Sequence, residues 1–88
     1  MDEREKLLAK VTQEYKATHI GTLVKLMTLW GFNHRFSSSH DNVMFAHRIY
    51  PIQQNAGVPH HGPVLGHYVR RCLRAIDDVK EREVGTDG

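Results

Sequence analysis

Six consecutive polar residues, Ser37-Ser38-Ser39-His40-Asp41-Asn42, are the part of this chain best equipped for chemistry. Metal-free cleavage of RNA needs a group that takes or gives a proton near neutral pH, and histidine titrates in that range. It also needs donors for a phosphate, which serine hydroxyls and the backbone N–H groups of a turn supply. His40 is therefore the candidate acid or base. Ser38, Ser39 and the upstream Arg35 are candidates to hold phosphate. The same six residues also suit an ordinary polar hairpin loop.

A second candidate lies near the C-terminus. Arg70, Arg71 and Arg74 follow i, i+1, i+4 spacing, so Arg70 and Arg74 share one helix face. Guanidinium groups suit bidentate phosphate contacts. The alternative is a solvated face in which Asp77 and Asp78 pair with Arg74 and its neighbours. A third candidate is metal. His60, His61 and His67 are close in sequence, and His40 and His47 can approach them. No standard zinc-ligand spacing is present, so no metal is expected. Phosphate loops of the Walker type, dinucleotide fingerprints and paired cysteines are missing too, and no cofactor is implied.

These residues need a scaffold. Leu7, Leu8, Val11 and Tyr15 make one apolar stripe and predict a helix over residues 3–16. A second helix, capped by Thr22, is expected to run to about Trp30 and exit through Gly31, with Phe32 as the following apolar contact. The period then changes. Phe32, His34 and Phe36 alternate with Asn33 and Arg35 as a short strand. After the polar turn, Val43 to Tyr50 reads as a second strand, with Val43, Phe45 and Ile49 on one face and Met44, Ala46 and Tyr50 on the other. Gln53–Val58 reads as a weak third strand. Pro59 to Pro63 form a loop, with Pro63 placed at the first turn of a helix over about Val64–Lys80. Its buried stripe is Leu65, Tyr68, Val69, Cys72, Leu73, Ile76 and Val79. The tail from Glu81 is expected to fray. The expectation is one α+β domain: a sandwich with three antiparallel strands, helices on one face and an extra N-terminal helix.

Bulk properties narrow the classes. A chain of 88 residues is one small domain with a modest core. Net charge is +2, with seven histidines besides, which suits nucleic acid without requiring it. The lone Cys72 cannot form an internal disulfide and is expected to be a small buried hydrophobe. No apolar run opens the chain and none reaches membrane-span length, so the cytoplasm is the expected compartment.

The order of short motifs resembles the HicA family of mRNA-cleaving toxins. It rests on Leu29-Trp30-Gly31-Phe32, Ser38-Ser39-His40 and Val43-Met44-Phe45-Ala46-His47. It continues through Val58-Pro59-His60-His61-Gly62 and Tyr68-Val69-Arg70-Arg71-Cys72-Leu73-Arg74-Ala75-Ile76. Arg4 to Lys10 is similar to the extra first helix of some members. The resemblance implies a fold like that of a double-stranded-RNA-binding domain, a histidine that carries RNA cleavage, and a HicB-like antitoxin partner. It points to His40. Ser38 stands where the family has glycine, and Asp41 follows the histidine. Counted forward from Gly31-Phe32 the key position falls close to His40, whereas counted back from His47 it falls on Asn42. The leading expectation is a metal-independent mRNA-cleaving toxin that acts through His40. The alternative is a non-catalytic RNA-binding module on the same fold.

Overall fold

A computed structural model describes residues 2–37, 42–50, 56–59 and 64–87. The first helix, α1, spans Glu3–Gln13. Asp2 caps it by accepting the Glu5 N–H at 3.0 Å, and Glu3 and Glu5 add negative charge to its first turn. The helix expected to reach residue 16 stops at Gln13, and a 3-10 turn, Tyr15–Ala17, follows. Thr18 explains the early stop. Its buried hydroxyl donates to the Glu14 carbonyl at 3.1 Å, and its own carbonyl accepts the Val64 N–H at 2.9 Å. Its backbone is thereby committed to the C-terminal part of the chain.

Helix α2, Ile20–Leu29, starts earlier than expected. His19 occupies the N-cap position without a side-chain hydrogen bond, and Thr22 lies inside the first turn instead of capping it. Leu23, Leu26 and Met27 are fully buried. The exit runs as expected through Gly31, whose φ is +90°, into buried Phe32.

Strands β1, Phe32–Ser37, and β2, Asn42–His47, pair antiparallel, with Phe32 opposite His47, His34 opposite Phe45 and Phe36 opposite Val43. Strand β2 ends three residues sooner than the Tyr50 expected. The His47 ring takes over from the ladder: its Nδ1 accepts the N–H groups of Ile49 at 3.1 Å and Tyr50 at 3.0 Å. Ile49, expected to share a strand face with Val43 and Phe45, lies beyond the strand and is 69% exposed, while Tyr50 stacks on the His47 ring at 5.0 Å. Of the Gln53–Val58 expectation, residues 53–55 lie outside the described residues. Ala56–Pro59, β3, runs antiparallel on the other side of β2, with Val58 opposite Val43. Pro63 also lies outside the described residues.

The last helix, α3, spans Gly66–Asp87, so most of the segment expected to fray is helical. Its described contacts include Arg82 Nε donating to Asp78 one turn earlier at 3.2 Å, and Glu83 accepting from both terminal nitrogens of Arg4, at 3.3 and 3.1 Å. The Arg4 guanidinium lies 4.2 Å from the Trp30 ring centroid, and Trp30 Nε1 donates to the Arg4 carbonyl at 3.3 Å. Hydrogen bonding to Glu83 raises the Arg4 pKa further above its usual value, so the group stays charged. The N-terminal helix is thus tied to the ends of α2 and α3.

The chain is α+β, with three α-helices on one face of an antiparallel sheet. Phe32, Val43, Phe45 and Val58 face the helices and are buried among Val11, Leu26, Met27, Val69, Ile76 and Val79. Asn33, Arg35 and Ala46, on the other sheet face, are exposed.

A Cβ on Gly31 would stand 2.7 Å from His47 Nε2, in a backbone region that side chains avoid, whereas one on helical Gly21 would meet nothing within 4 Å. Gly31→Ala is expected to lower unfolding stability by about 1–3 kcal/mol. Gly21→Ala should raise it by about 0.5–1 kcal/mol. Urea midpoints at unchanged slope check both. Equal midpoints for the two variants would contradict this assignment.

Candidate nucleic-acid interface

The two strands expected to flank His40 are paired. Ser37 and Asn42 are the last register pair of β1 and β2. Ser38, Ser39 and His40 lie outside the described residues. Asn42, the rival position, begins β2 between Ser37 on one side and Pro59 on the other.

Arg35 is exposed on the sheet face away from the helices, opposite Met44. A shallow cavity of about 250 Å³ on this face is lined by Asn33, Arg35, Met44 and Ala46, together with His34 and Phe45. Arg70, Arg71 and Arg74 are exposed on α3. The structure therefore places Arg35 and the α3 arginines on different surfaces, because α3 packs on the opposite side of the sheet. The alternative pairing of Asp77 and Asp78 with Arg74 is not formed among the described residues. Asp78 engages Arg82, and Arg70, Arg71 and Arg74 form no ion pair among the described residues.

Arg70 instead approaches Tyr15. Its guanidinium carbon lies 6.0 Å from the ring centroid, and Lys16 Nζ lies 5.9 Å away. The ring can sit there because Gly66 has no side chain: a Cβ at that position would be 3.1 Å from Tyr15 Cε2. Gly66 costs α3 some helix propensity but lets the 3-10 turn pack against its start. Motif reading missed Tyr15 and Lys16 as neighbours of the arginines, since the contact spans more than 50 residues of sequence.

A second missed feature was readable in the sequence. Between Tyr15 and Ile76 there are seven lysines and arginines but one acidic residue, Asp41. The other nine acidic residues lie in the first 14 and last 12 positions, so a net charge of +2 hides a strongly basic middle. Of those seven cations, Lys25 pairs with Glu3 at 3.4 Å. Arg35, Arg48, Arg71 and Arg74 are exposed with no ion pair among the described residues.

The described histidines divide by their surroundings. His34 is exposed on β1. His67 lies against Tyr68, with ring centroids 4.1 Å apart. His47 is committed to the fold: Nδ1 accepts two backbone N–H groups, which leaves Nε2 to donate to the Trp30 carbonyl at 3.0 Å. Both nitrogens are occupied, so His47 can be neither a metal ligand nor a proton shuttle in this conformation. His40, His60 and His61 lie outside the described residues. Among the described residues no group of three or more histidine, cysteine or acidic side chains is placed to hold a metal ion. No described helix is long and apolar enough to cross a membrane.

Compared with protein-family models, curated proteins and solved structures, the chain has no match.

Cys72 is fully buried, as expected, and burial pushes its thiol up to about 12, with Arg71 opposing. It is no nucleophile near neutral pH. Folding favours the neutral thiol, so its stabilising effect is complete below the ordinary thiol range. It is lost as pH rises from about 9 toward 12. The native protein should resist thiol reagents at pH 8 and react once unfolded. Cys72→Ala should also show a shallower alkaline loss of stability. Rapid labelling of the native protein at pH 8 would contradict the buried assignment.

Proposed function

We propose that this chain is an RNA-acting protein of the HicA-like toxin type. It cleaves mRNA without metal, with His40 as general acid or base at the ribose 2′-OH and scissile phosphate. Ser38, Ser39 and Arg35 hold the phosphate, and Arg70 and Arg74 bind the RNA backbone. A HicB-like antitoxin restrains it in the cytoplasm. The fold in this reading is that of a double-stranded-RNA-binding domain, an α-β-β-β-α sandwich with an added N-terminal helix.

The observation that carries the proposal is the set of exposed arginines, Arg35, Arg48, Arg71 and Arg74, that have no carboxylate partner among the described residues. A polyanion is the ligand such a surface fits, because phosphates supply the missing partners and release condensed counterions. The resemblance gains support from packing, since two of its motifs meet: Trp30-Gly31-Phe32 and His47 close on one another. A third, Tyr68 to Ile76, buries Val69, Cys72 and Ile76 and exposes its arginines.

A second reading, RNA binding without cleavage, has a specific observation in its favour. His47 is the anchored end of β2, and counting back from it puts Asn42 at the family's key position. An amide cannot shuttle a proton near neutral pH.

Expression without antitoxin separates the two. Under the first reading the wild type arrests growth and cleaves RNA in EDTA. His40→Ala folds normally but loses about 10²–10⁴-fold in cleavage rate. Under the second, the wild type is harmless and Asn42→His becomes toxic. A toxic His40→Ala protein would remove His40 from the mechanism.

A further inference from the structure

We infer that Lys16 and Arg70, set on either arm of a clasp around Tyr15, hold one backbone phosphate between the N-terminal segment and α3. This rests on the RNA reading above. It adds to the α3 arginines a second element of the chain and a path for the RNA strand.

The 3-10 turn is fixed against the start of α3 by two contacts. Thr18, which follows the turn, accepts the Val64 N–H at 2.9 Å just before α3 begins. Tyr15 packs over the bare Cα of Gly66, where an added Cβ would stand 3.1 Å from Tyr15 Cε2 and 3.6 Å from Lys16 Cγ. Arg70 lies one turn further along the helix face that carries Gly66. Its guanidinium carbon is 6.0 Å from the centre of the Tyr15 ring, and Lys16 Nζ is 5.9 Å from it. Folding thus brings two cations from distant parts of the sequence to one aromatic ring.

These like charges repel each other, and a ring at the outer limit of cation–π reach offsets only part of that. Lys16 and Arg70 are exposed, and neither has a carboxylate partner among the described residues. An anion held by both relieves the repulsion and takes up their N–H donors. An open cavity of about 570 Å³ lies at the turn, lined by Gln13, Glu14, Tyr15, Lys16 and Ala17. Glu14 is the one carboxylate in that lining, so Lys16 and Arg70 leave the clasp net positive.

The spacing of charge along α3 identifies the occupant. Arg74 repeats the position of Arg70 one turn later, about 6 Å along the helix axis. It too is exposed without an ion pair among the described residues, and Arg71 lies beside it. A single small anion fills the clasp and leaves Arg74 unused. A nucleic-acid strand carries a charge at every residue, so one phosphate sits between Lys16 and Arg70 while a neighbouring one meets Arg74. The guanidinium fork matches phosphate geometry at both points.

The test measures RNA affinity against salt for wild type, Lys16→Ala, Arg70→Ala, Lys16→Ala/Arg70→Ala and Lys16→Arg. Lys25→Ala, which removes one exposed charge paired with Glu3, is the control, and every melting temperature is recorded. Lys16→Ala and Arg70→Ala should each weaken binding several-fold, alike across RNA sequences, and lower the salt slope by about 1. The clasp needs both arms, so the double variant should lower the slope by about 1 in total. Its loss of affinity should be at least about twofold smaller than the product of the single losses. Lys16→Arg should bind like wild type, and Lys25→Ala should keep the wild-type slope. If Lys16→Ala melts markedly lower, Lys16→Gln replaces it and is read the same way. Wild-type affinity and slope in the Lys16 variant, or losses that multiply with a slope lowered by about 2, would overturn the clasp while leaving the RNA reading intact. Polyglutamate that displaces RNA at equal charge concentration, with the same dependence on Lys16 and Arg70, would overturn the phosphate assignment in favour of an acidic protein. A wild type that binds no RNA would overturn both readings.

Discussion

The hydrogen bond between His47 Nε2 and the Trp30 carbonyl, made over the bare Cα of Gly31, is the contact on which the rest of this structure turns. It locks the exit of α2 to the end of β2, so it sets where Phe32 enters the core and where the ladder stops. The same imidazole stacks on Tyr50 and meets Phe32 edge-on at 4.9 Å. Trp30 carries the constraint onward: its ring lies under Arg4, and Arg4 holds Glu83. One junction therefore ties the sheet to α2, α2 to α1, and α1 to the far end of α3. In a small domain with a modest core, such a junction takes on work that a larger core would do by burial alone.

The junction also makes the fold one-sided. All three helices sit on one sheet face, and the outer half of β1 projects past them. Helices α1 and α3 contrast in charge. The first has an aspartate cap and two glutamates in its opening turn, the arrangement that helix dipoles favour. The first turn of α3 has no acidic residue, and its next turns expose three arginines that no described carboxylate neutralises. Stability alone gives no reason for that placement, whereas a phosphate-bearing partner does.

Much of the scaffold was legible because it obeys local rules. Gly31-Phe32 marks a helix exit whatever surrounds it, and the alternation of β1 and the stripe of α3 from Tyr68 onward follow backbone periodicity, whereas Leu65, read into that stripe, precedes the helix and is exposed. The departures have distant causes. The early end of α1 reflects Thr18 bonding to Val64, and the end of β2 reflects a histidine side chain that substitutes for strand partners. The long α3 reflects an arginine 79 residues away in sequence. Of the candidate site, the exposure of Arg35, Arg70 and Arg74 was legible in residue type, while Ser38, Ser39 and His40 lie outside the described residues. Its division between two surfaces was not legible, because faces depend on how α3 docks. The uneven spread of acidic residues was present in the sequence throughout, concealed by a small net charge.

The central claim is that these arginines exist for a polyanion. The most direct measurement is RNA affinity against salt concentration for the wild type and for Arg70→Ala/Arg74→Ala. The account predicts that wild-type affinity falls linearly on logarithmic axes as salt rises, and that the double variant binds more weakly with a slope shallower by about 2. Its loss should be alike across RNA sequences. Wild-type affinity that is indifferent to salt, or a double variant that binds RNA as tightly as wild type with the same slope, would contradict it.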